Sequence, residues 1–307
     1  MSIFIQQKSC SSKCFDTLRS ASATIDIRIL FDHHPLILDA VIAMEINTAS
    51  KPKYYLSKRL DGFFGNMARA FRFVLDYFVQ LVRPPYEFSE IVKQSYKIGV
   101  DSLPLISLTG FIIGIVFTKQ SRPSLSDFGA TSWLPSLIGI AVFKALAPLV
   151  TALICAGKVG SSIGAELGAM KVSEQIEAMD VSASKPYKYL VFTRVTACVL
   201  MVPLLMLFTS LVAMTGSYIN ININEHISLA TFVAKAFDKI NFLDFKASLI
   251  KAVVFGFTIG MVACYNGFTT SRGTEGVGRA ANAAVVTSMY LIFIEELMIV
   301  QIIGWFR

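Results

Sequence analysis

The chain has 307 residues and a formal net charge of +7, with 54% hydrophobic residues, only 16% charged ones and a mean hydropathy of +0.60. Soluble globular chains carry about 25% charged residues, so this composition excludes a soluble cytosolic enzyme, a disordered chain and a disulfide scaffold. It is that of an integral membrane protein.

Residues 1–57 read as a poorly determined N-terminal extension. They hold no hydrophobic h-region and are not a signal peptide. The first two dozen are Ser-rich, basic and poor in acids, in the manner of an organellar transit sequence, and a dispensable start upstream of Met44 accounts for them equally well. Cys10 and Cys14 form a lone C-x3-C without a second pair, so no metal is expected. Cys155, Cys198 and Cys264 fall in apolar stretches, where cysteine acts as a small hydrophobe. Residues 51–97 carry nine Lys/Arg against four Asp/Glu. That excess suits anionic lipid headgroups better than nucleic acid. Within 58–97, Phe63, Phe64, Met67, Phe71, Val74, Leu75, Phe78 and Val82 recur at helical spacing. Arg69, Arg72, Asp76, Gln80 and Arg83 take the other side, and Pro84-Pro85 ends the helix. A basic amphipathic helix of this kind lies in the membrane interface.

Five apolar stretches follow, at about 98–118, 134–157, 195–216, 252–271 and 282–306, each long enough to cross a hydrocarbon core about 30 Å thick. Only Lys144 breaks the second, and Glu295 and Glu296 break the last. An odd number of spans puts the termini on opposite sides. The basic residues number sixteen on one side and seven on the other, which places the N-terminus in the cytoplasm and the C-terminus outside. Between the third and fourth spans Leu229, Phe232, Val233, Ala236, Phe237 and Ile240 outline a short amphipathic helix on the outer side, suited to bracing a dimer or seating a partner. The expected fold is therefore all-α: an interfacial helix, then five transmembrane helices, with short helices on the inner and outer sides.

The stretch from Lys144 to Pro186 is the most informative. Gly157, Gly160, Gly164 and Gly168 put small residues on one helical face, where another helix can approach closely. Lys171, Glu174, Gln175, Glu177 and Asp180 then form a short polar helix, about 171–181, between two spans. The run A-G-K-V-G-(x)3-G-A-E-L-G-x-M-K-V-x-E-Q-I-x-A-M, the later K-Y-L-V-(x)2-R-V (Lys188 to Val195) and the distal Y-N-G-(x)6-G-T-E-G-V-G-R-A (Tyr265 to Ala280) resemble the MlaE (YrbE-type) permeases. The likeness covers about residues 60–307, with the permease domain proper at 98–307. Members are membrane subunits of bacterial ABC transporters that move phospholipids between the inner and outer membranes, with relatives in chloroplast envelopes.

The resemblance implies a homodimer in the bacterial inner membrane, with a cytoplasmic ABC ATPase and a periplasmic MCE-domain (MlaD-like) protein as partners. It implies no enzyme activity and no cofactor in this chain, ATP and Mg being bound by the ATPase; the sequence agrees, since it has no G-x4-G-K-[ST] phosphate loop. Lys171, Glu174, Gln175, Glu177 and Met179 become the candidate ATPase-coupling residues. Phe117, Leu125, Phe128, Lys144 and Leu146 become the candidate lipid-binding ones. Members commonly show Arg-Glu-Leu-Gly-Pro where this chain has Lys144-Ala145-Leu146-Ala147-Pro148, so the acidic neighbour of the basic residue is missing. Lys144 lies eleven residues into a stretch of twenty-four, where an unpaired charge is costly. Two readings stand: an ion pair with Glu295, or contact with a phospholipid headgroup. The alternative function is an ATPase-independent secondary transporter or channel for an amphiphilic solute, which calls for an intramembrane charge relay and repeat symmetry. A membrane enzyme is disfavoured by the absence of any catalytic or metal-ligand grouping near His33, His34 or His226.

Overall fold

The computed structural model describes residues 55–82, 87–182, 185–271 and 273–305. The extension 1–54, with Cys10 and Cys14, and the Pro84-Pro85 pair lie outside them. Residues 1–63 and 64–307 are separate units; of the first, only the opening turns of one helix are described, and the account below concerns the second. The described segments are helical apart from the short turns that join the helices. They comprise α1 (Tyr55–Val82), α2 (Phe88–Asp127), α3 (Thr131–Val172), α4 (Gln175–Val181), α5 (Tyr187–Glu225), α6 (Leu229–Asp238), α7 (Phe242–Phe268) and α8 (Thr274–Trp305). Five of them, α2, α3, α5, α7 and α8, are long and apolar enough to cross a membrane.

These helices outrun the apolar stretches that announce them. α2 has 40 residues, or about 60 Å at 1.5 Å per residue, twice the hydrocarbon thickness. Hydropathy marks only the portion that needs to be apolar; the backbone ladder continues into polar surroundings at both ends. α5 is the central helix, flanked by α2 and α7, while α8 packs on α7 and α3. The chain widens to π-type turns at Val142–Leu146, Ala156–Gly160 and Tyr187–Phe192. The first lies just ahead of Pro148, which has no N–H to give the carbonyl of Lys144, four residues back.

Glycines set the closest crossings. A Cβ at Gly114 would stand 2.0 Å from the Ala213 carbonyl oxygen, and one at Gly216 would stand 2.6 Å from that of Phe111, so α2 and α5 touch backbone to backbone. Gly256 does the same for α7 against α5, with 2.6 Å to the Cys198 oxygen. In lipid, where burial gives helices little reason to associate, such close packing is the main adhesive. Hydrogen bonds add to it: Ser217 Oγ donates to the Gly114 oxygen at 3.0 Å, and the Thr151 and Thr209 hydroxyls meet at 2.7 Å.

From Phe64 onward α1 presents three faces rather than the two expected. Phe73 and Tyr77 dock on the bundle, with ring centroids 5.0 Å from Tyr187 and 5.4 Å from Phe257 respectively. Phe64, Met67, Phe71, Leu75, Phe78 and Val82 form a separate exposed apolar stripe. Arg69, Arg72 and Asp76 occupy the remaining arc. α6 begins at Ser228, whose side chain accepts from the Thr231 N–H at 3.3 Å. It buries Phe232 and Ala236, the latter against Gly139 of α3.

Candidate functional site

Two regions at opposite ends of the bundle carry the candidate residues. At the end away from α4, Phe117, Leu125 and Phe128 line one open pocket of about 420 Å³, together with Ser121, Ser124 and Leu137. Phe117 and Leu125 also pack on a buried cluster that receives Leu146 from α3. Three of the five candidate lipid-binding residues thus share a surface that is apolar with a few hydroxyls, and Leu146 packs on the same buried cluster as two of them. A pocket of that character accepts a chain bearing a polar end.

Lys144, the fifth, turns to α7. Its ammonium sits 2.8 Å from Asp244 Oδ1, and the Asp244 side chain is only 6% exposed. The expected pair with Glu295 is not formed: Glu295 accepts instead from the Thr258 hydroxyl. The acidic partner that residue 145 does not provide therefore comes from another helix. Beside this pair, Lys251 Nζ reaches Glu296 Oε1 at 2.6 Å and the Lys144 carbonyl oxygen at 3.4 Å. That carbonyl is the one to which Pro148 cannot donate, so Lys251 gives it a side-chain donor while pairing with Glu296. Asp244, Lys251 and Thr258 recur every seven residues on α7, two turns apart on one face. They knit α3, α7 and α8 into a polar layer that sequence inspection missed. Its signal was the i, i+7, i+14 spacing of polar residues at the head of an otherwise apolar helix.

At the other end, α3 runs on to Val172 and the chain reverses through Glu174, which adopts a left-handed backbone (φ 58°), before α4. Ile176 is buried and Met179 packs against the core, anchoring α4 to the bundle. Glu174, Gln175, Glu177 and Asp180 remain exposed, and the Lys171 ammonium pairs with the Glu177 carboxylate. Of the five coupling candidates, four face outward or sideways, and Met179 faces in. Lys171, Glu174 and Glu177 border a polar recess of about 370 Å³ shared with Thr270 and Gly273 of the α7–α8 turn.

The glycine series on α3 faces α7 and α8. A Cβ at Gly164 would be 3.1 Å from that of Ala284, and one at Gly168 would be 3.0 Å from the Thr270 hydroxyl; Gly157 and Gly160 leave ordinary 3.9 Å contacts. The tighter contacts at Gly114 and Gly256 belong to two further G-x3-G repeats, Gly110/Gly114 and Gly256/Gly260. Both are plain in the sequence once looked for. Among the described residues no cluster of His, Cys, Asp or Glu could hold a metal ion.

Comparison with known proteins bears on this arrangement. Residues 91–302 match the family model described as Permease MlaE. A probable ABC transporter permease protein of Rickettsia bellii is 36% identical over 230 residues, 75% of this chain and 89% of that one. One of Synechocystis is 32% identical over 237 residues, covering 77% and 90%. Another, of Pyropia yezoensis, is 34% identical over 211 residues, covering 69% and 80%.

Proposed function

The chain belongs to the MlaE permease family, and from that premise we propose that it is the membrane subunit of an ABC transporter carrying phospholipids between the inner and outer membranes. It works as a homodimer in a bacterial inner membrane, N-terminus in the cytoplasm and C-terminus in the periplasm. A separate ATPase binds and hydrolyses ATP, and a periplasmic MCE-domain protein exchanges the lipid. The observation that supports this best is the separation of two surfaces along one bundle. An apolar pocket bordered by Phe117, Leu125 and Phe128 opens at one end, and an anchored turn with exposed Glu174, Gln175 and Asp180 projects at the other. Force applied to the short α4 reaches the bundle through Ile176, Met179 and the helix α3 that leads into it. The α1 stripe from Phe64 to Val82 suits the membrane interface, with Arg69 and Arg72 toward the headgroups.

The test is reconstitution. Tagged protein is purified from membranes, its co-purifying chains are identified, and transfer of a fluorescent phospholipid between liposomes is followed with and without ATP. An ATPase and an MCE-domain protein should come down with it, and transfer should require ATP. The layer of Lys144, Lys251, Asp244, Glu295 and Glu296 is the one observation favouring an ion-coupled transporter instead. Transfer driven by an ion gradient without any ATPase would establish that second reading and overturn the first.

A further inference from the structure

The charge-free stretches of three helices end at one level. α2 carries no charge from Ser102 to Thr118, α3 none from Ala145 to Gly157, and α5 none from Val195 to Asn224. At the α4 end of the bundle, the residues bounding these stretches are Asp101, Lys158 and Arg194. They meet there, together with Lys97 and Glu166 from the adjoining turns. Lys97 Nζ is 3.5 Å from one Glu166 oxygen and Arg194 Nη2 is 3.4 Å from the other. The Lys158 ammonium donates to the Asp101 carbonyl oxygen. Between α2 and α3, Lys97, Asp101, Lys158 and Glu166 of this group line a cavity of about 50 Å³ together with Ser102, while Arg194 reaches it only through Glu166.

Two hydrogen-bond donors here have nothing to donate to. Ser102 Oγ, fully buried on the cavity lining, has no partner among the described residues, and neither does Arg194 Nε, on a side chain 5% exposed. A buried donor without an acceptor costs free energy. Three cations against two carboxylates also leave a formal surplus of one positive charge. Idle donors in a cationic surround call for an anionic acceptor. The level matters as well: a boundary between charged and charge-free helix surface is where headgroup phosphates lie beside the hydrocarbon core.

We propose that this cavity binds a phosphate or phosphoester group at the membrane boundary on the α4 side. Lys97 and Lys158 meet its oxygens from the rim and Ser102 donates from the lining, while Asp101 and Glu166 hold the lysines in place. The Lys97 side chain is half-exposed, so an esterified phosphate enters from the rim and its acyl chains stay outside. The transport reading enters only in naming a lipid as the source; inorganic phosphate has the same chemistry.

Binding to the detergent-purified full-length protein, without ATPase or transport, tests this. Native mass spectrometry compares retention of a diacyl phosphatidylglycerol with that of the diacylglycerol of identical tails, with inorganic phosphate as competitor. Wild type should retain the phospholipid preferentially. Lys97→Gln should lower that preference about tenfold, the loss of roughly one charge-assisted hydrogen bond, whereas Lys93→Gln, the same charge change on a side chain 78% exposed one turn away, should not. Ser102→Ala should also lower it, with thermal stability unchanged or raised, because the hydroxyl has no protein partner to lose. Competition by millimolar phosphate identifies a free-phosphate site; its failure to compete identifies the lipid. Equal retention of the two lipids by wild type, or an unchanged preference in both Lys97→Gln and Ser102→Ala, overturns the proposal. Phe117→Ala with Leu125→Ala serves as a separate arm: loss of both lipids there concerns the far pocket, and so the transport reading alone.

Discussion

Replacing Lys251 by methionine removes one ammonium and leaves two groups stranded. Glu296 loses its partner at 2.6 Å while its other oxygen already lacks one, and the Lys144 carbonyl, to which Pro148 cannot donate, loses its contact at 3.4 Å. The Lys251 side chain is 4% exposed and that of Glu296 16%, so water does little to compensate. Breaking such a pair costs about 3–5 kcal/mol, and loss of the carbonyl's hydrogen bond about 0.5–1.5 kcal/mol. Lys251→Met should therefore lose at least about 3 kcal/mol of stability, measured by equilibrium unfolding in mixed SDS micelles. Glu296→Leu alone should fall near the lower end, since Lys251 keeps the carbonyl. The double variant should recover most of the ionic loss and retain only the carbonyl's share, about 0.5–1.5 kcal/mol. A double variant as unstable as the sum of the singles would refute the pairing, because independent sites add and coupled ones do not.

The same cycle distinguishes the partners of Lys144: Lys144→Met should couple to Asp244→Asn by more than about 1 kcal/mol and show no coupling to Glu295→Gln. Gly114→Ala forces a methyl against the Ala213 carbonyl oxygen and should cost about 1–3 kcal/mol, read by the same unfolding assay, whereas Gly157→Ala, with 3.9 Å to its nearest neighbour, should be tolerated. Glu174→Lys with Glu177→Lys should leave the protein folded and abolish ATPase association in a pull-down; intact association would remove α4 from coupling. With Cys10 and Cys14 replaced by serine and the buried Cys155, Cys198 and Cys264 left in place, a cysteine at Phe128 should react with an impermeant thiol reagent from outside and one at Thr274 should not, the reverse pattern overturning the proposed orientation.

Number and kind of helix were legible because each depends on one local property. An apolar run near twenty residues is costly anywhere but in lipid or a large core, and the Ala252–Phe268 and Leu134–Ala141 stretches needed no tertiary information to be recognised. Likewise Phe117, Leu125 and Leu146 converge because helices that share a membrane bring residues of equal depth together. Partner choice was less legible. Glu295 and Asp244 are both acids near the end of a span away from α4, and only rotation about the helix axis, set by packing at Gly256 and Gly164, decides which faces α3. On α1, the apolar pattern from Phe64 to Val82 is real. It does not say that Phe73 and Tyr77, on a neighbouring arc, also dock on the bundle.

Depth was the other quantity that counting within one segment misjudged. Lys144 is near the middle of its own apolar stretch, but it lies only fourteen residues from Lys158, about 21 Å along the helix. The uncharged stretch of α2 between Asp101 and Lys119 spans about 27 Å by the same rise, and that of α8 between Arg279 and Glu295 about 24 Å. Lys144 thus belongs to the far polar layer, with Asp244, Lys251, Glu295 and Glu296. That layer holds three carboxylates against two cations, a formal charge of −1, and its ammonium groups are already engaged. The level at Lys97, Asp101, Lys158, Glu166 and Arg194 carries +1 and idle donors. A phosphate is attracted at the second level and repelled at the first, so a lipid reaching the Phe117–Leu125 pocket is held there chiefly by apolar contacts. Binding near α4 and weaker headgroup retention at the opposite end then follow from the sign of the formal charge at each level.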